Sequence, residues 1–394
     1  MSAQSPVAVR IEHIEPFHVM ALLARAKELE SQGQDIVHME IGEPDFDSPQ
    51  PILEAGINAL KQGHTHYSPA LGLPALRSAI AHHYKKNYGL DVADEQVIVT
   101  PGSSGALQLI MHVLINPGEE VLLADPSYPC NRHFIRLVEG LITTINVDEK
   151  TDYQLSEKLI ADHWSTRTKA VMIATPSNPT GTVLNQHEMR RIARQVAARN
   201  AYLIVDEIYH GIEYGEDKLQ TAFGINNNIF VVNSFSKYYG MTGWRLGWML
   251  APKPFVSAID KLAQNIFLAP STPAQYAALA AFSDETQDIL QHRADEFRLR
   301  RDYLLAAITK LGFAVKIKPE GAFYIYANCE KYSNDSFSFC QKILEDIGVA
   351  VTPGVDFGQY HANTHLRFAY TTSLERLAIG VKRLKKYLSY IRGI

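Results

Sequence analysis

The sequence predicts an α/β protein, with a parallel sheet covered by helices on both faces and a smaller α+β domain attached. Three observations carry this. Short apolar runs alternate with helical patterns through the middle of the chain. Those runs are continuous in Val, Ile and Leu, as strands buried on both faces require. Beyond about residue 280 the texture changes to one long charged helix followed by shorter strands.

The strand runs are Gln96–Thr100, Glu120–Ala124, Ala170–Ala174, Tyr202–Asp206 and Ile229–Ser234. Helices read over Ser104–Ile115 and Gln186–Arg199 between them. Strand, helix, strand in series makes neighbours parallel, because the crossover returns the chain to the same end of the sheet. A charged amphipathic helix follows over Glu285–Leu311, with Gly312 as its stop. Strands at Ala322–Ala327, Ala350–Thr352 and His365–Tyr370 come next, then a helix from Leu374. The expected domains are 46–283 (large) and 284–394 (small). Residues 1–45 read as an N-terminal arm and part of the small domain, a placement that the sequence alone leaves open.

A length of 394 residues suits a large domain plus a smaller one. The net charge of −4 gives no general attraction to nucleic acid or an anionic membrane. Three cysteines, Cys130, Cys329 and Cys340, have no C-x-x-C spacing, which argues against a disulfide framework or a zinc site. His64 and His66 have no third ligand in sight, so no metal is expected. No apolar run nears the roughly 20 residues that span a bilayer. No signal peptide is read at the N-terminus, and a reducing cytosol is the expected location.

The informative residues sit at the strand ends. The clusters are Thr100-Pro101-Gly102-Ser103-Ser104-Gly105, Thr175-Pro176-Ser177-Asn178-Pro179-Thr180-Gly181, Asp206-Glu207-Ile208-Tyr209 and Ser234-Phe235-Ser236-Lys237. Taken singly, each reads equally well as a loop. Together they bring polar groups to the carboxyl rim of an open sheet, where such folds bind ligands. Gly102, Ser103 and Ser104 open a helix, whose free N–H groups suit an anion, although Ser103 alone reads equally as a cap. Lys237 follows the apolar run Phe230-Val231-Val232 and precedes an uncharged glycine-rich stretch, an unusual place for a solvated lysine. An environment that disfavours the charged amine makes it a nucleophile for a Schiff base. Asp206 ends an apolar strand; it reads either as a turn cap or as a partner for a cationic ring nitrogen. In the second case, opposite charges about 3 Å apart at an effective dielectric near 20 interact by roughly 5 kcal/mol before desolvation.

The stretch Ser234-Phe235-Ser236-Lys237-x-x-Gly240-Met241-Thr242-Gly243-Trp244-Arg245-Leu246-Gly247 resembles the class I/II aminotransferases, which are pyridoxal-phosphate (PLP) enzymes of fold type I. Ser177-Asn178-Pro179-Thr180-Gly181 and Asp206-Glu207-x-Tyr209 support the resemblance, which covers nearly the whole chain. It implies a mostly parallel seven-stranded sheet and PLP as cofactor. It implies Lys237 as the Schiff-base lysine and proton shuttle, and Asp206 as the partner of the ring nitrogen. Asn178 and Tyr209 match the donors to the phenolic oxygen, and Tyr128 the aromatic stacked on the ring. Gly102, Ser103, Ser104, Ser234, Ser236 and Arg245 resemble the phosphate cup. Arg367 resembles the clamp for the substrate carboxylate, with Gly42 and Asn178 beside it. Tyr67 resembles the tyrosine that reaches a neighbouring subunit's phosphate, which implies a homodimer with shared sites.

The implied activity moves the amino group of an L-amino acid to a 2-oxo acid. A PLP lyase or decarboxylase on the same scaffold is the alternative. A regulator that keeps PLP beside a DNA-binding helix pair ranks below both, because the large-domain pattern begins within the first hundred residues. No lysine stands in Ser103-Ser104-Gly105, where one aspartate-specific subgroup has one; this weighs against a strict aspartate enzyme without excluding it, since an arginine can arrive from elsewhere. Phe17, Tyr128, Ile266 and Phe267 are expected to line an apolar pocket that suits alanine, branched or aromatic donors.

Overall fold

The computed structural model describes residues 7–215 and 218–391. Residues 1–6, 216–217 and 392–394 of the expected domains, including the start of the N-terminus read for a signal peptide, lie outside the described residues. In chain order the first strands are β1 (Val37–Met39), β2 (Val97–Thr100), β3 (Glu120–Asp125), β4 (Leu141–Asn146), β5 (Thr168–Ala174) and β6 (Tyr202–Asp206). They are followed by β7 (Ile229–Ser234), β8 (Gly247–Leu250), β9 (Tyr324–Asn328), β10 (Val349–Pro353) and β11 (His365–Ala369).

Seven strands form one sheet in the order β2-β8-β7-β6-β5-β3-β4. All run parallel except β8. The carboxyl ends of the other six therefore meet at one rim. Because β8 runs the other way, it starts there: Gly247 pairs with Thr100 on one side and Ser234 on the other. The continuous apolar runs have their predicted reason. Val99, Val205 and Val231 face one core cluster, and their neighbours Ile98, Ile204 and Val232 face another on the opposite side. Sequence reasoning missed β4 and β8. β4 is an edge strand, Leu-Ile-Thr-Thr-Ile-Asn, and only Ile145 in it is fully buried. β8 is four residues beginning with glycine, and its place comes from pairing on both sides rather than from local propensity.

The second sheet has the order β1-β10-β11-β9. Val37 to Met39 pairs parallel with Val349 to Val351, which joins the N-terminal segment to the C-terminal sheet. The long helix spans Asp284–Leu311, capped by the Ser283 hydroxyl and ended by Gly312 at φ 102°. From this helix the buried Arg300 reaches Asp45 at 2.7 Å and fastens the N-terminal segment a second time. The predicted strand start at Ala322 moves to Tyr324, because Ala322 sits in the left-handed region at φ 56°.

At the rim, β8 passes directly beneath the first turn of the helix Gly102–Leu114. A Cβ on Gly247 would lie 2.8 Å from Gly102 C and Ser103 N, and 2.9 Å from Asn233 O. These are backbone atoms and cannot rotate away. Gly247→Ala is expected to lower stability by about 1–3 kcal/mol in urea unfolding. Wild-type stability in that variant would mean that the helix start is not held where the sheet puts it.

Candidate active site

A cavity of about 370 Å³ opens at the rim and is lined from both sheets. Ser103, Ser104, Tyr128, Asn178, Asp206, Tyr209, Ser236, Lys237 and Arg245 line it from the large sheet's strand ends. Arg367 on β11 and Gly42 close it from the other side. A larger groove of about 960 Å³ runs beside Glu213 and Lys218, but it holds none of the predicted residues. The smaller cavity is the candidate because the strand ends converge there.

Asp206 is the last residue of β6 and only 5% exposed. One of its oxygens accepts a hydrogen bond from Ile208 N at 3.1 Å. Burial raises its pKa from the ordinary 3.8 to about 7, against smaller opposing effects of that bond and of Lys237. Lys237 Nζ donates to Gly42 O at 2.8 Å. Burial lowers the Lys237 pKa to about 8, helped by the cations Arg367 and Arg245. Arg367 is 2% exposed, and its guanidinium donates to Asn178 Oδ1 at 3.0 Å, Thr352 Oγ1 at 3.2 Å and Glu40 O. None of these acceptors is a carboxylate, and its buried Nε has no partner among the described residues.

The first turn of the helix Gly102–Leu114 faces the same cavity through Ser103 and Ser104. Gly102 has φ +70°, and a Cβ there would fall 2.7 Å from Arg245 Nη2. Glycine therefore lets the guanidinium close over the helix start. Ser234 differs from its expected position. Its hydroxyl donates to Leu246 O and accepts from Ser236 N, so it holds the turn and does not line the cavity. Tyr67 also stands off the cavity and is 84% exposed. Phe17 and Tyr128 line the cavity as expected, but Ile266 and Phe267 do not. These two close the helix Val256–Ile266, and Ile266 is 40% exposed. Tyr324, Val19 and Met20 line the cavity without having been singled out in the sequence. Tyr324 was hidden because a buried β-strand tyrosine looks like core. His64 stacks on Tyr276, with ring centroids 4.0 Å apart.

Residues 34–384 match the family model for aminotransferase class I and II. The chain belongs to that family. It is 38% identical to a (5-formylfuran-3-yl)methyl phosphate transaminase of Methanocaldococcus jannaschii, over 96% of this chain and 99% of that one. It is 34% identical to a valine–pyruvate aminotransferase of Mycobacterium tuberculosis, over 95% of this chain and 97% of that one. The crystal structure of an aminotransferase from Mycobacterium tuberculosis superposes with a TM-score of 0.94 at 34% identity, covering 98% of this chain and all of that chain. The protein is thus a PLP-dependent aminotransferase of fold type I that moves an amino group between an amino acid and a 2-oxo acid. A lyase or decarboxylase is not favoured.

The donor set of this aminotransferase fits PLP. A helix start with an arginine closed over it suits the phosphate, a buried carboxylate suits the cationic ring, and an amine of lowered pKa suits the aldehyde. Without the cofactor, Asp206 is under strain. Its folded pKa lies above its ordinary value, so its stabilising share is full below about pH 4 and lost as pH rises through about 7. Asn at 206 cannot titrate. The stability of cofactor-free Asp206→Asn relative to wild type is expected to climb between pH 4 and 8, by on the order of 1–4 kcal/mol. Urea unfolding at several pH values measures this. A difference that stays constant across the range would contradict it.

Proposed function

We propose that Lys237 holds the cofactor and moves the substrate proton, while Asp206 keeps the ring nitrogen charged and Arg367 grips the substrate carboxylate. One observation carries this reading: the buried Arg367 fork, with no carboxylate partner, opens on the same cavity as Lys237 and Asp206. A buried guanidinium with an open donor calls for an anion, and a carboxylate fits its fork. When bound, the cofactor supplies a protonated ring that draws electrons from the substrate's Cα.

The chain's own groups do the rest. Arg367 and Asn178 fix the carboxylate and so orient the Cα–H bond. The Lys237 amine, with its pKa near 8, is free in useful amount near neutral pH and takes the proton from Cα. Asp206 keeps its charge when a cation faces it, which removes the strain it carries alone. Ser103, Ser104, Ser236 and Arg245 hold the phosphate, with Gly102 giving Arg245 room. Tyr128 covers the ring face, and Tyr209 and Asn178 serve its phenolic oxygen. Ser234 acts one step back, through the turn that carries Ser236.

The working unit is a homodimer in this reading. The exposure of Tyr67, at 84%, and of Ile57, Leu60 and Leu268 on the same chain supports it, since Tyr67 does not line the candidate cavity of its own chain. Free Cys329 and Cys340, both buried, accord with a reducing cytoplasm. The domain boundaries follow the two sheets: 46–283 with the first, and 1–45 and 284–394 with the second.

The substrate side of the cavity supports an apolar or aromatic donor. Phe17 and Tyr128 meet edge to face at 6.2 Å, and Val19, Met20, Ile41 and Leu107 add apolar surface. Among the described residues its only cations are Lys237, Arg245 and Arg367, so this chain's own wall supplies none for a second carboxylate. The kcat/KM for valine or phenylalanine is expected to exceed that for aspartate by about tenfold or more; preference for aspartate would contradict this. For the reaction itself, an amino acid alone should shift the cofactor's absorbance once per site, and a 2-oxo acid should restore it. In Lys237→Ala both the lysine-bound colour and turnover should vanish, and full activity there would refute the role.

A further inference from the structure

Tyr324 touches three of the proposed site residues at once. On β9 it pairs with Ala369, and its neighbour Tyr326 pairs with Arg367 on β11, so all four share one face of the sheet. The diagonal puts the Tyr324 ring under the Arg367 guanidinium, with Cζ 4.3 Å from the ring centre. The Tyr324 hydroxyl ends 2.9 Å from the Tyr209 hydroxyl. Both side chains are buried, 1% and 2% exposed, and their rings meet edge to face at 5.7 Å. The same hydroxyl presses on Gly42, where a Cβ would come within 1.9 Å of it. Only glycine at 42 leaves the hydroxyl in place.

Two hydroxyls joined by one hydrogen bond divide their roles: one gives its proton and the other keeps its own to give elsewhere. If Tyr209 gives its proton to the cofactor's phenolic oxygen, Tyr324 must be the donor between the two. A hydroxyl that accepts a hydrogen bond becomes a stronger donor itself. We propose that Tyr324 is a positioning residue with two parts: its hydroxyl donates to Tyr209 and strengthens Tyr209 as a donor to the cofactor, and its ring holds the Arg367 guanidinium ready for the substrate carboxylate. This rests on the roles given to Tyr209 and Arg367 above. It links the cofactor's electronic state and the substrate clamp through one side chain.

The sign of the effect follows. When the lysine-bound cofactor loses its titratable proton, negative charge remains on the phenolic oxygen. A donor at that oxygen favours the deprotonated form, so weakening Tyr209 raises the pH midpoint of the absorbance change.

The test uses the holoenzyme and four variants: Tyr324→Phe, Tyr324→Leu, Tyr209→Phe and the double Tyr209→Phe/Tyr324→Phe. Tyr324→Phe should raise the spectroscopic midpoint by about half a pH unit, and Tyr209→Phe by more. The double variant should match Tyr209→Phe, because Tyr324 acts through Tyr209. Binding of 3-phenylpropionate, which has the carboxylate but no amino group, reads the second part. Tyr324→Phe keeps the ring and should bind it as wild type does, whereas Tyr324→Leu should bind about fivefold more weakly. A shift in Tyr209→Phe without one in Tyr324→Phe, or shifts that simply add in the double variant, overturns the hydroxyl's role and leaves Tyr209's intact. No shift in Tyr209→Phe overturns both. Equal binding by the Leu and Phe variants overturns the ring's role.

Discussion

Burying Asp206 at the end of β6 leaves a carboxylate that water solvates poorly and that only a facing cation can keep charged. The rest of the site answers this constraint. Burial raises the acid's pKa to about 7, despite the opposing effects of the Ile208 N–H bond and of Lys237. The same surroundings lower the Lys237 amine to about 8. Two groups of opposite charge type are thus drawn together in pKa within one cavity, each held uneasily in its charged form. A ligand that brings a ring cation to the acid and an aldehyde to the amine relieves both at once. In the proposed roles of Asp206 and Lys237, the chemistry and the affinity for the cofactor share this single origin.

The sheet topology puts those groups within reach of one another. Six strands end at one rim, and β8 starts there. That reversal delivers Arg245 just ahead of Gly247, beside the helix start that carries Ser103 and Ser104. The second sheet brings Arg367 to the opposite wall, backed by Tyr324 and by the N-terminal segment paired through β1. The site is therefore a junction of two sheets, and residues distant in sequence, such as Gly42, Lys237 and Arg367, share it.

Much of this was legible in the sequence. The buried strands read directly, because strands covered on both faces must be apolar throughout, and β6 and β7 begin and end where expected. The polar clusters stood out because each interrupted such a run. What was not legible has physical reasons. β4 is half exposed and carries threonines, and β8 is too short and too glycine-led to stand apart from a loop. Tyr324 shows the opposite difficulty. A tyrosine in a buried strand passes for core until its hydroxyl is seen against Tyr209. Ile266 and Phe267 were placed by their apolar character alone, which does not say which surface a helix end faces.

The central claim is that Asp206 holds a proton on the cofactor's ring nitrogen. The most direct measurement is the nitrogen-15 chemical shift of ring-labelled cofactor in the holoenzyme between pH 6 and 9. A protonated-ring shift across that range in wild type, replaced by a neutral-ring shift in Asp206→Asn, is the predicted result. A neutral ring nitrogen in the wild-type enzyme near pH 7 would contradict it.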